Sequence, residues 1–122
     1  MNKVICKRLE LVHVQDIDKM YADQVTLKPG KTFTQLILEG KAEYSSQSQT
    51  PDAGPVVNET VTAKIRPTQE SYIIKFPLKY YVIRLYTDAG AFIVGSLDYP
   101  AELTFKDDKV YVNLTFKASR PL

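Results

Sequence analysis

Tryptophan is absent from this 122-residue chain, and cysteine and histidine occur once each, as Cys6 and His13. A single cysteine excludes an internal disulfide framework. A single histidine excludes a histidine pair for zinc and leaves any Ser-His-Asp arrangement dependent on that one residue. Its surroundings, Leu-Val-His-Val-Gln, have the look of an ordinary strand position, and Cys6 in Val-Ile-Cys that of a small core residue. The five glycines are scattered singly, so there is no phosphate-cradling loop. Asp16 and Asp18 lack the glycine and closing glutamate of a calcium loop, and Asp107-Asp108 has the composition of a turn. These absences argue against an enzyme and against a bound cofactor or metal.

Long apolar runs are also missing. Lys3, Lys7, Arg8 and Glu10 interrupt the start of the chain, so it carries no signal-peptide core, and no run reaches the roughly 18 apolar residues of a membrane span. The expectation is a soluble protein made in the cytoplasm, with no membrane partner. Net charge is only +2, too balanced to indicate nucleic acid. That charge is unevenly spread. Between Lys41 and Lys64 lie Glu43, Asp52 and Glu59 with no basic residue, so this segment carries −3 and the remainder +5.

What is present is a period of two. Val57, Val61, Ala63 and Ile65 alternate with polar residues, as do Val110, Val112, Leu114 and Phe116; Leu36, Leu38, Ala42 and Tyr44 share one face of a run over 33–44. The run LKYYVIRLY over 78–86 is more continuously apolar than the others, interrupted by Lys79 and Arg84, and reads as a central strand covered on both faces. Turn signals at Lys28-Pro29-Gly30, Thr87-Asp88-Ala89-Gly90 and 106–109 separate these runs. The pattern predicts a single all-β domain over 1–122, an antiparallel β-sandwich or barrel of about seven strands. At most one short helix is expected, over 15–24, where Ile17, Met20 and Tyr21 fall at i, i+3 and i+4.

Between the strand ending near Tyr44 and the one resuming at Val57 lies AEYSSQSQTPDAGPVV, predicted to be a long, flexible hairpin tip over 45–56. It is too polar to fold into its own core, but it can lie on a neighbour and add backbone hydrogen bonds to an exposed sheet edge. Tyr44, Ser45, Gln47, Gln49, Pro51, Asp52, Pro55 and Val57 are its candidate interface residues, with Val56 and Val61 at its base. Such contacts repeated around a closed symmetry make a ring. An alternative is a monomeric β-barrel module binding single-stranded nucleic acid or carbohydrate through Tyr80, Tyr81, Arg84 and Phe92.

The C-terminal stretch from Tyr80 to Leu122 resembles small tail-associated virion proteins of tailed bacteriophages and prophages. The resemblance rests on the strand Val82 to Thr87, the turn at Gly90, Gly95 with Tyr99-Pro100, and the closing Leu114-Thr115-Phe116. It implies a non-enzymatic virion protein of the tail-tube, tail-completion or head–tail connector kind. Its partners would be itself, in a ring such as the family's hexamers, and other virion proteins.

Overall fold

The computed structural model describes residues 2–21, 24–50, 54–66, 79–107 and 110–121. Among these it contains eleven strands: β1 (Asn2–Cys6), β2 (Arg8–His13), β3 (Ile17–Tyr21), β4 (Gln24–Leu27), β5 (Thr34–Leu36), β6 (Ala42–Gln49), β7 (Val56–Ile65), β8 (Tyr80–Thr87), β9 (Gly90–Val94), β10 (Ala101–Asp107) and β11 (Val112–Pro121). Every pairing is antiparallel. The fold is all-β, as expected, with more and shorter strands than the seven inferred from punctuation.

One large sheet runs β1-β6-β7-β11-β10-β8-β2-β5, with β9 added to β8, and β3-β4 form a separate two-stranded sheet. The path has two ends, so no barrel closes. It nevertheless curls back on itself, because β1 and β2 are one chain bent at Lys7. β1 pairs with β6 near one end of the path and β2 with β8 near the other, and the Lys7 amide donates to the Tyr86 carbonyl at 3.0 Å.

Curling brings the inward rows of nine strands onto one core. Phe116, Leu9, Leu36, Ile65, Ile83, Leu85, Leu114, Val61 and Val112 are its largest fully enclosed side chains, with Tyr81, Val94 and Leu103 beside them. The period of two read in β7 and β11 is this inward row. On the other side of β8 a second cluster of Val12, Ile17 and Val82 is covered by Met20, Val25, Leu27, Phe33 and Ile93. The β3-β4 hairpin is the cover, so both faces of β8 are buried, as its continuous apolar run implied.

Two sequence readings change. Among the described residues of 15–24 there is no α-helix: a 3₁₀ turn over Val14–Asp16 leads into β3, which pairs with β4. The run 33–44 is two strands, because Gly40, at φ +80°, redirects the chain between β5 and β6. Of the turn read at 106–109, Lys106 and Asp107 belong to β10 and residues 108–109 lie outside the described residues, while the other two turns behave as read. At Lys28-Pro29-Gly30 the Lys31 amide donates to the Lys28 carbonyl at 3.1 Å, with Gly30 at φ +79°.

Both β9 and β10 lie along the same edge of β8, at residues 83–87 and 80–81, and the wall forks where the chain leaves β9 at Gly95. Gly95 has φ +89°, and a Cβ there would stand 3.0 Å from the Ala101 nitrogen and 3.1 Å from the Tyr81 carbonyl oxygen. Both neighbours are backbone atoms of paired strands. Gly95→Ala is expected to cost about 1–3 kcal/mol through strain and crowding, seen as a lowered denaturation midpoint. An unchanged midpoint would mean that the fork yields freely.

Candidate functional site: the β6–β7–β11 tongue and its cleft

The segment predicted to be a loose tip is mostly ladder. Ser45, Gln47 and Gln49 lie opposite Thr60, Asn58 and Val56, so the hairpin stays paired until Gln49 and resumes at Val56. Asn58 and Val56 in turn face Ser119 and Pro121 of β11. The 45–49 strand lacked an apolar period because it buries almost nothing; its place is set by backbone pairing to β7 rather than by side-chain burial. Ser45, Gln47 and Gln49 share the outward row, Pro55 is exposed just before β7, and Val57 points inward and is buried. Pro51 and Asp52 lie outside the described residues.

The neighbouring strands stop short of this hairpin. Pairing of β1 with β6 ends at Asn2 opposite Ser46, and pairing of β10 with β11 ends at Glu102 opposite Lys117. Among the described residues β6, β7 and β11 continue beyond those points as a three-stranded tongue of Gln47–Gln49, Val56–Glu59 and Ala118–Pro121. Among the described residues its two outer edges have no strand partner. Its outward side carries the polar row Gln47, Asn58 and Ser119 and, at the tip, Gln49, Val56 and Pro121.

The inward side of the tongue begins with a buried charge. Glu59 occupies the inward phase of β7 between Val57 and Val61 and is only 6% exposed. The Tyr44 hydroxyl donates to Glu59 Oε2 at 2.6 Å, and Arg120 Nε to Oε1 at 3.4 Å. Burial, and then the bond to the Glu59 carboxylate, push the Tyr44 hydroxyl up to about 12, because both disfavour a phenolate there. Tyr44 also packs edge-on against Phe92, with centroids 4.9 Å apart. It therefore ties β6 to the Glu59 carboxylate of β7 and to Phe92 of β9. Glu59 was missed, although an acidic residue in the phase of Val57 and Val61 was the available signal. Beside it a cleft of about 260 Å³ opens between β9 and the ends of β7 and β11, lined by Glu59, Ile93, Ser96, Tyr99, Ala118 and Arg120 among others.

Comparison of the chain with protein-family models, with curated proteins and with solved structures finds no match.

The alternative binding residues are not brought together. The pleat sends Tyr81 and Phe92 to the inner core, while Tyr80 and Arg84 lie on the opposite face of β8. Tyr81 is 3% exposed and packs edge-on against Phe116. Arg84 is engaged by Glu10, which lies directly opposite it and is itself buried. Glu10 accepts from Arg84 Nε and the Tyr86 hydroxyl at 2.9 Å each through Oε1, and from Arg8 Nη2 at 2.7 Å through Oε2. Phe33 lies 4.0 Å from the Arg84 guanidinium, closing the cluster from above. Burial alone would raise the Glu10 pKa, but the bonds from Tyr86, Arg84 and Arg8 outweigh it and hold the carboxyl below its ordinary value. The arrangement is structural, a charge neutralised inside a sheet face, and nothing in the residue spacing announced it.

His13 caps the 3₁₀ turn, its Nδ1 accepting from the Gln15 amide at 3.1 Å. Among the described residues no group of three or more His, Cys, Asp or Glu side chains could hold a metal ion, and no helix is long and apolar enough to cross a membrane.

Proposed function

We propose that the chain is a non-enzymatic structural subunit that oligomerises through sheet edges and the β6–β7 hairpin. On the C-terminal resemblance we read such a subunit as part of a phage tail or head–tail connector, assembled with other virion proteins after synthesis in the host cytoplasm. The observation that carries the reading is the tongue, where strand backbone extends past its neighbours on both sides. Free strand edges are recruiting surfaces, and soluble monomers normally guard them with lysine, proline or a bulge. Here Gln47, Ser48 and Gln49 supply none of these. Their polar side chains suit a contact made by backbone hydrogen bonds rather than by apolar burial.

Light scattering across a concentration range tests this. The wild-type chain is expected to form species larger than one chain, and Gln47→Lys/Gln49→Lys to stay monomeric while keeping its β circular-dichroism spectrum. Those two positions are exposed and outward, so lysine there costs the monomer little. A wild-type mass of one chain at every concentration would overturn self-assembly; assembly unaffected by the lysines would overturn the role of this edge.

A further inference from the structure

The cleft that opens beside Glu59 is a feature separate from the strand edges. We infer that it is a binding site for one neutral sugar ring, held between the Glu59 carboxylate, the Arg120 guanidinium and the Tyr99 ring.

The first observation is a change of character in two adjoining inward rows. Phe116, Ala118 and Arg120 of β11 lie opposite Val61, Glu59 and Val57 of β7. Both rows are apolar at Phe116 and Val61; then β7 acquires a charge at Glu59 and β11 acquires one at Arg120. Ala118, directly opposite Glu59, has too small a side chain to fill the space that remains. The resulting cavity of about 260 Å³ is a little smaller than the roughly 300–1,000 Å³ of drug-sized ligand sites, which suits a single ring.

The second observation is unspent bonding capacity. The buried Glu10 carboxylate is closed by three bonds of 2.7, 2.9 and 2.9 Å. Glu59 takes one short bond, from the Tyr44 hydroxyl at 2.6 Å, and one long one, from Arg120 Nε at 3.4 Å. A carboxylate offers about four acceptor sites and a guanidinium five donors, so both line the cleft with capacity to spare. Buried polar groups are ordinarily satisfied, so what fills the cleft must both donate and accept.

The third observation is charge and shape. Among the described lining residues only Glu59 and Arg120 are charged, and they are opposite in sign, which favours a neutral occupant. A cation would have to displace Arg120 from Glu59, and an anion would meet the buried carboxylate. Neighbouring ring hydroxyls meet both groups at once, donating to Glu59 and accepting from the planar guanidinium fork. Met20, Ile93 and Ala118 offer apolar wall to the C–H faces of the ring. Tyr99, 45% exposed, adds an aromatic surface at the mouth. A closed turn holds it there: the Tyr99 amide donates to Ser96 Oγ at 3.0 Å, and the Ser96 amide to the Tyr99 carbonyl at 3.1 Å.

Saturation-transfer NMR reads the binding of a small ligand whatever the size of the assembly. The full chain is titrated with methyl glucoside, methyl galactoside and methyl mannoside, and with alanine as a zwitterion of opposite design. At least one glycoside is expected to bind saturably, with transfer to its ring protons, and alanine to give none. Arg120→Gln and Tyr99→Ala change exposed side chains and are expected to stay folded. The first should weaken the glycoside about tenfold or more, and the second about threefold or more. No transfer to any of the three glycosides would overturn the site, and unchanged affinity in both variants would place the binding elsewhere and overturn it equally. Stronger binding of alanine than of the glycosides would overturn the sugar in favour of a zwitterion.

Discussion

Phe116→Ala is expected to lower the thermal midpoint by about 12–20 °C, from a loss of about 3–5 kcal/mol at roughly 4 °C per kcal/mol for a chain of this size. Phe116 is the largest fully enclosed side chain in the core. It lies opposite Val61 on one neighbour and Leu103 on the other, and packs edge-on against Tyr81 with centroids 6.2 Å apart. Truncation leaves a void lined by strands from both halves of the curled sheet, which ladder hydrogen bonds hold in place, so the walls cannot collapse inward to fill it. Against a total stability of roughly 5–15 kcal/mol for a domain of this kind, that is a large fraction. Chemical denaturation monitored by tyrosine fluorescence measures it. A loss below about 1 kcal/mol would mean that the core is loosely packed at its centre, contrary to the burial described.

The second large effect concerns Glu10 and has a pH signature. Glu10→Gln keeps the shape of the side chain but removes the charge that Arg8, Arg84 and Tyr86 converge on. With both arginines partly exposed, water compensates some of the loss, and a cost of about 1–3 kcal/mol is expected at neutral pH. The folded state lowers the Glu10 pKa from its ordinary 4.5. The ionised carboxylate therefore contributes stability that is complete above the unfolded-state value and is lost as pH falls through the lower folded-state value. The difference between wild type and Glu10→Gln should hold at neutral pH and close in acid well below 4.5. A gap that persisted unchanged in acid would mean that the carboxylate charge is not what the cluster uses.

How far these features were legible in the sequence depends on what fixes each element. The inward rows of β7 and β11 could be read because side-chain burial alternates there with the backbone pleat. The Thr87–Gly90 turn could be read because its chemistry is local: the Thr87 hydroxyl accepts from the Ala89 amide at 3.1 Å and donates to the Gly90 carbonyl at 2.9 Å. The helix expected over 15–24 failed for a specific reason. The register between β3 and β4 slips between Ile17 and Lys19, a bulge that absorbs one residue. Ile17 and Met20 then both join the outer cluster although three residues apart, which imitates a helical spacing; Tyr21 is 83% exposed. Strand β6 escaped because a polar strand held by its neighbours has no period of its own to read. Glu10 and Glu59 escaped because a buried carboxylate is recognised by its partners, and beyond Arg8, two residues away, those of Glu10 stand 74 and 76 residues off, while the arginine of Glu59 stands 61 off.

The bend at Lys7 also sets the order of events on the ribosome. Strands β1 and β2 serve both halves of the sheet, yet β1 has to wait for residues 42–46 and β2 for β5 at 34–36 and then for residues 81–86. At synthesis rates of roughly 5–20 residues per second the N-terminal segment spends several seconds as nascent chain without its partners.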